Sequence, residues 1–512
     1  MADAIGAQRA WYLGLTAVVL LMVGTGWYQV FDVAPYYHAD EQAHVGYVQE
    51  LLHGRLPTID THIDDRESSG VLHERLKLTP DRNDDIWVAN NPPVAYVTFV
   101  PAAAVGRVLD LPTGPLVPMR ITNLLFFGAS VVVVARLGRR LAGDDPTVGI
   151  LAAALVATVP YVGAMSGAAY VDGIALLCTV AMLDALVALT LAGPTRRQVV
   201  ALSVWCALGA GVRPMTAAFA GAVGAMAMAV VLLRTIQQRR AAAPEDPEDA
   251  APTRAGLLWS GAVMAVPTLV LDGWYYLRNR RLYGDPTASE HLFTKFDRTA
   301  RDLPLTDVWR HEVWAPPVET LVNRRMPLAV ARTPTTLWQV TWWALIAFAL
   351  VATAIVVVDQ VAARRRGEPP RTPALGWLAA AALVVVVVGL TLQHWQGGGN
   401  IHPRYLLFGV VIVAVAVAFP LVRLRARWAG AALVGALVAL QAEEIPDMNR
   451  TIREQPWMTR APRVLVNAIG PPSVRFLGIV IMAVGLVALV VALVGLSRRT
   501  ADAAPAAPGE PT

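Results

Sequence analysis

The sequence predicts an all-α polytopic membrane protein, and three observations carry that reading. First, its 512 residues are 55% hydrophobic and only 16% charged, with a mean hydropathy of +0.48. Soluble domains carry roughly a quarter charged residues. Second, the apolar residues are gathered in segments of about 18 to 22, the length that crosses a bilayer core of roughly 30 Å. Third, arginine clusters fall in alternate connecting segments, as membrane orientation requires. A soluble enzyme, a disordered chain and a disulfide-stapled domain are excluded.

Spans are expected at 11–31, 120–137, 147–163, 172–191, 199–212, 215–233, 257–275, 337–358, 374–392, 405–422, 428–441 and 476–496. Arg136, Arg139 and Arg140 share one side with Arg196–Arg197, Arg234, Arg239 and Arg240. Arg364–Arg366, Arg423, Arg425, Arg427 and Arg498–Arg499 fall there too. The positive-inside rule makes that side cytoplasmic. An even number of crossings then puts both termini in the cytoplasm. Residues 93–109 are apolar enough to cross, but crossing would place Arg136–Arg140 outside. They are therefore expected as a juxtamembrane or re-entrant helix opened by Pro92-Pro93.

The first apolar run begins near Trp11 with no small-residue cleavage site close behind, so it reads as an uncleaved first helix. Residues 1–10 form a cytoplasmic N-terminus, 11–496 one transmembrane domain, and 497–512 an Ala/Pro-rich disordered tail. Residues 241–254 read as a flexible cytoplasmic linker. The external loops are 32–119, 276–336 and 442–475, and they collect most acids, histidines and non-helical aromatics.

The two cysteines, Cys178 and Cys206, lie in apolar segments, which excludes a disulfide framework or a cysteine metal site. Of 43 basic residues only Lys77 and Lys295 are lysines, a bias that points to a GC-rich, actinobacterial genome. The basic residues sit in short loops and report orientation, so nucleic acid is not an expected partner.

The first external loop opens with Pro35-Tyr-Tyr-His-Ala-Asp40-Glu41-Gln-Ala-His44. A helix starting near Asp40 makes that residue its N-cap. Asp40 and His44 then share a face at i, i+4, and Glu41 and His44 at i, i+3. Helix capping and the dipole alone account for such acids. Their position among Tyr36, Tyr37, His38 and Tyr47, just past the first span, equally suits the floor of a sugar or phosphate site. Asn90-Asn91-Pro92-Pro93-Val94-Ala95-Tyr96 is a turn and helix start, and Tyr170-Val171-Asp172-Gly173 places an acid at the outer end of a span. Arg213, Arg278, Arg280, Arg281 and Arg404 are the basic exceptions on the outer side. The planar arginine fork suits phosphate, and snorkelling to headgroups is the other reading.

In this order the strings resemble the GT-C superfamily of integral-membrane glycosyltransferases, which use polyprenyl-phosphate-linked sugars. The resemblance is greatest to bacterial members like the protein mannosyltransferases and aminoarabinose transferases. It rests on Asp40-Glu41 with Gly54-Arg55-Leu56-Pro57, on Pro92, Pro93 and Tyr96, on the Arg-rich stretch 135–143, and on Asp172. Trp274-Tyr275, Arg278-Asn279, Tyr283-Gly284-Asp285-Pro286 and Pro403-Arg404-Tyr405-Leu406-Leu407 complete it. It spans roughly residues 10 to 425.

The resemblance implies an inverting transfer on the extracytoplasmic face of a bacterial plasma membrane. The sugar passes from a polyprenyl-phosphate donor to a glycan, lipid or wall-polymer acceptor, with mannosyl or arabinofuranosyl groups foremost. It maps Asp40 onto the general base and Glu41 onto a group orienting sugar or acceptor. Asp172 becomes the second acid. Arg404, with Arg278 or Arg281, holds phosphate, while His44, Tyr47, Tyr96 and His402 complete the substrate site. His38, Asp40, Glu41 and His44 are candidate ligands for a divalent metal, Mg or Mn, without a strong ligand spacing.

The chain departs from the pattern in that no large external C-terminal domain is expected from it, and in lacking an obvious counterpart of the donor-phosphate lysine of some relatives. Two alternatives stay open. A flippase or transporter of lipid-linked saccharides would show an internal repeat and midplane charges; only Asp184 and Asp272 lie well within helices, and no repeat is visible. A glycan-polymer ligase would use a late loop such as 276–336, which holds His291, Lys295, Arg298, Arg310, His311, Arg324 and Arg325.

Overall fold

A computed structural model of the chain describes residues 2–38, 40–64, 71–78, 84–241, 254–301, 313–314, 321, 335–368, 372–399, 401–453 and 472–502. The described residues are helical apart from turns and one isolated bridge between His62 and Asp85. In chain order the helices are α1 (Ala2–Phe31), α2 (Glu41–Leu52), α3 (Val71–Leu78), α4 (Pro93–Val97), α5 (Val100–Val108), α6 (Leu116–Leu141) and α7 (Pro146–Thr158). They continue with α8 (Pro160–Ser166), α9 (Asp172–Ala192), α10 (Arg196–Ala210), α11 (Pro214–Ala241), α12 (Arg254–Thr268) and α13 (Trp274–Tyr283). The last are α14 (Ser289–Lys295), α15 (Thr335–Arg366), α16 (Ala374–Gln396), α17 (Leu407–Arg423), α18 (Arg427–Arg453) and α19 (Pro472–Asp502).

Nine helices among the described residues are long and apolar enough to cross a membrane, ten if the α7–α8 pair counts as one span. The protein is therefore a multi-pass membrane protein. Three of the twelve expected crossings fall outside that count. The 147–163 span is broken by a 70° bend between α7 and α8. Pro160 lacks the N–H that would continue the helix, and Val159 before it is extended. The 199–212 span is α10, whose 15 residues reach only about 22 Å at 1.5 Å per residue. It starts early, on a capping box of Thr195 and Gln198. The 428–441 span is the apolar part, Arg427–Ala442, of the longer α18.

Residues 93–109 form the two short helices α4 and α5, parted by a turn at Thr98–Phe99. At the far end, α19 runs on to Asp502 where a disordered tail was expected. The linker beyond residue 241, the basic residues Arg310, His311, Arg324 and Arg325, and the last ten residues lie outside the described ones.

Close helix packing is set by small residues. Gly149 of α7 lies so near the Ala135 carbonyl of α6 that any Cβ would collide with it. Gly24 does the same for α1 against Met482 of α19, along which α1 lies. Outward, Leu258, Val270, Trp343, Leu378, Val385, Phe476 and Val487 are exposed. Such a surface suits lipid and not water.

The bundle has two polar ends. At one, Asp184 of α9 is gripped by Arg136 at 2.7 Å and Arg140 at 2.5 Å, both from α6. Arg234 donates to the Thr190 carbonyl and Arg423 to the Ala142 carbonyl nearby. These arginines are the ones the charge bias placed on one side. At the other end the last turn of α1 and the first turns of α6, α9, α11 and α17 converge, and the candidate site lies there.

Candidate active site

Asp40 holds the N-cap position of α2, but its side chain makes no capping bond. The carboxylate instead accepts a 2.8 Å hydrogen bond from Nη1 of Arg404, 364 residues away. The capping explanation of Asp40 therefore fails. Its backbone N–H donates to the Tyr170 hydroxyl at 3.2 Å. Tyr170 in turn lies under the Arg404 guanidinium, 5.8 Å from ring centre to carbon. Asp40 and Arg404 keep 22% and 19% of their side chains exposed, so the pair is reachable. Burial raises the Asp40 pKa, but Arg404, His44 and His402 outweigh it and hold the carboxyl below its ordinary value. Burial pushes His44 and His402 down to about 4, so both imidazoles are neutral near pH 7.

A second pair stands beside the first. Arg213, in the turn before α11, donates to Asp172 at 2.6 Å, and Asp172 opens α9. Arg213 and Arg404 line one cleft with Thr179, Thr216 and Tyr405, and the rest of its wall is apolar, Leu176, Met215, Phe219, Val387, Leu407 and Phe408 among it. Each guanidinium has a buried Nε without a hydrogen-bond partner among the described residues. Two cations lining one mostly apolar cleft suit a phosphate carrying a hydrocarbon tail.

Glu41 has a different fate. Its carboxylate is fully buried and takes both Nε and Nη2 of Arg120, at 2.8 and 2.7 Å, and the Ala169 N–H at 2.9 Å. Burial raises its pKa, and Arg120 more than reverses the shift. Glu41, expected to orient sugar or acceptor, is here closed to solvent and held by Arg120 and the Ala169 N–H.

The other candidates sort by distance from the Asp40–Arg404 pair. His44 joins it and bonds Tyr96 through Nδ1 at 2.9 Å. Tyr96 is buried and stacks on Tyr47 with ring centres 3.8 Å apart, while the Tyr47 hydroxyl donates to the Asn91 carbonyl. These rings form the wall behind the site. His402 is half-buried at the mouth of α17, its ring 5.9 Å from that of Tyr405. Arg278 is directed elsewhere: it donates to the Pro57 carbonyl at 2.9 Å and so ties down the Gly54–Pro57 turn. Arg281 is exposed on α13 and belongs to no part of the cluster. Arg213, and not Arg278 or Arg281, lines the cleft with Arg404.

The proposed metal quartet is dispersed. Asp40 goes to Arg404, Glu41 to Arg120 and His44 to Tyr96, while buried His38 packs edge-on to Tyr170. Among the described residues, the group whose ligand atoms lie close enough for one ion is His62, Asp84 and Asp85. Lys295 lies beside that group and bridges Asp60 and Asp85, away from the cleft.

Sequence reasoning missed Arg120. Its signal was present: an arginine at the start of a span on the side where the charge bias disfavours it, as for Arg213 and Arg404.

No protein-family model and no curated protein matches the chain. Among solved structures it is similar to ArnT from Cupriavidus metallidurans bound to undecaprenyl phosphate. That alignment covers 96% of this chain and 79% of ArnT, with a TM-score of 0.48 and 14% identity. It is also similar to the oligosaccharyltransferase AglB from Archaeoglobus fulgidus in complex with an inhibitory peptide and a dolichol-phosphate, at a TM-score of 0.39 and 14% identity. There the match covers 95% of this chain and 56% of the archaeal one. Both likenesses are distant.

Proposed function

We propose that the chain is a membrane glycosyltransferase that moves a sugar from a polyprenyl-phosphate donor to an acceptor hydroxyl, with Asp40 as general base. One observation supports the reading: Arg404, which lines a mostly apolar cleft together with Arg213, holds the partly exposed Asp40 carboxylate. The resemblance of the motifs to GT-C enzymes supports it independently.

The chemistry follows from the arrangement. The donor's tail lies against the apolar wall of the cleft, and its phosphate pairs with the guanidinium groups of Arg404 and Arg213. The acceptor hydroxyl gives its proton to Asp40, and its oxygen attacks the anomeric carbon from the opposite face. The carbon–oxygen bond to phosphate breaks, and polyprenyl phosphate leaves with the electron pair. Configuration at that carbon is inverted. Phosphate is already a good leaving group, so the protein supplies a base within hydrogen-bond reach and fixed positive charge for the departing oxygen. The depressed pKa of Asp40 keeps it ionised, and neutral His44 and His402 do not compete with the arginines. No step needs a metal ion among these residues. The site faces away from the cytoplasm by the positive-inside rule, and mannosyl or arabinofuranosyl donors are the first to try.

The test is purified protein in liposomes with radiolabelled polyprenyl-phosphate sugars and membrane extract as acceptor. The reading expects labelled acceptor and released polyprenyl phosphate. Intact lipid-linked sugar moved between leaflets would overturn it in favour of a flippase.

A further inference from the structure

We propose that Arg120 is a positioning residue that sets the place of the Asp40 carboxylate without touching substrate. The inference rests on the reading of Asp40 as the base. Arg120 projects from the first turns of α6 and is 1% exposed. Its Nη1 and Nη2 donate to the carbonyls of Gln29, Val30, Val33 and Ala34, between 2.9 and 3.3 Å. Gln29 and Val30 lie in the last turn of α1, and Val33 and Ala34 in the turn just past it; a cation is favoured at this negative end of the helix dipole. The same guanidinium clamps Glu41 through two parallel bonds, a geometry that fixes orientation as well as distance. One side chain thus joins the end of α1 to the start of α2, and Asp40 lies between them.

The other side of Asp40 is held through the same residue. Glu41 accepts the Ala169 N–H, and the next residue, Tyr170, receives the Asp40 N–H. Asn123, one turn beyond Arg120 on α6, fixes that 165–173 segment by bonds to the Met165 and Ala168 carbonyls and from the Gly173 N–H. The backbone of Asp40 is therefore set by a buried frame built on one face of α6. Its side chain is left to pair with Arg404, which lines the cleft.

Glu41→Gln and Arg120→Lys separate positioning from mere support. Glu41→Gln keeps shape and loses the charge-assisted clamp, while Arg120→Lys keeps charge and loses the fork. Per folded molecule, the proposal expects kcat to fall about tenfold, the scale of a misplaced base, with donor KM unchanged. It also expects the acid limb of kcat to move to higher pH as Asp40 loses register with Arg404. If either variant is recovered folded in lower yield but with wild-type kcat and an unmoved acid limb, Arg120 is structural only and the proposal fails. Asp40→Asn measured alongside keeps the two claims apart. Full activity in Asp40→Asn overturns the base itself. An inactive Asp40→Asn beside a wild-type Glu41→Gln overturns only the positioning role.

Discussion

Two carboxylates adjacent in the chain and two arginines from distant helices make the same kind of ion pair with opposite consequences. Asp40–Arg404 is about one-fifth exposed, joined by one hydrogen bond, and Arg404 keeps donors in reserve. Glu41–Arg120 is sealed, joined by two bonds, and every neighbouring carbonyl is used. The difference teaches what each pair is free to do. A saturated buried pair holds geometry, while a partly solvated one with unused donors can exchange partners with a ligand.

The sharpest way to break the comparison is to truncate the sealed pair. Arg120→Ala strands a buried carboxylate and should cost about 3–5 kcal/mol of stability, read as a large fall in melting temperature in detergent. A fall within a few degrees of wild type would mean the pair is not sealed. On the open pair, Arg404→Gln should leave melting nearly unchanged but weaken donor binding about 10- to 100-fold, the scale of a lost charge-assisted hydrogen bond. The same variant should move the acid limb of activity upward, because Arg404 is the main influence lowering the Asp40 pKa. Arg213→Gln should act similarly on donor binding.

A smaller effect concerns pH and stability. His38, His44 and His402 are pushed by burial to about 4 in the fold, against 6.5 when exposed. Below pH 6.5 the unfolded chain binds protons that the fold resists, so stability falls as pH drops from 6.5 towards 4. His38→Phe removes one such group away from the cleft and should flatten the melting profile across that window. The smallest expected effect is that of Arg281→Ala, an exposed change that should alter stability by no more than about 0.5 kcal/mol and leave donor binding alone. A measurable loss of donor binding would return Arg281 to the site.

Much of this was legible in the sequence. Apolar length and arginine bias gave the helix order and both polar ends. Exceptions to the bias pointed to Arg213 and Arg404, and the order of motifs pointed to Asp40 and Asp172. What could not be read depends on direction and distance. Nothing in Asp40-Glu41 says that one side chain turns to the cleft and the other beneath it. Glu41 finds its partner 79 residues away, on a helix whose rotation no periodicity fixes. Arg278 looked like a phosphate ligand because its chemistry permits it, yet the fold turns its Nη2 to the Pro57 carbonyl. The bend at Pro160 was visible as a proline, but its 70° size follows from packing.

The most direct test sets Asp40→Asn beside Glu41→Gln in one transfer assay with a radiolabelled polyprenyl-phosphate sugar, each with its melting temperature. The account predicts that Asp40→Asn melts like wild type and loses at least about a hundredfold in transfer, as removal of a general base requires. Glu41→Gln is predicted to melt lower while keeping roughly a tenth of the activity per folded molecule. Wild-type transfer by Asp40→Asn, or a greater loss in Glu41→Gln than in Asp40→Asn, would contradict it.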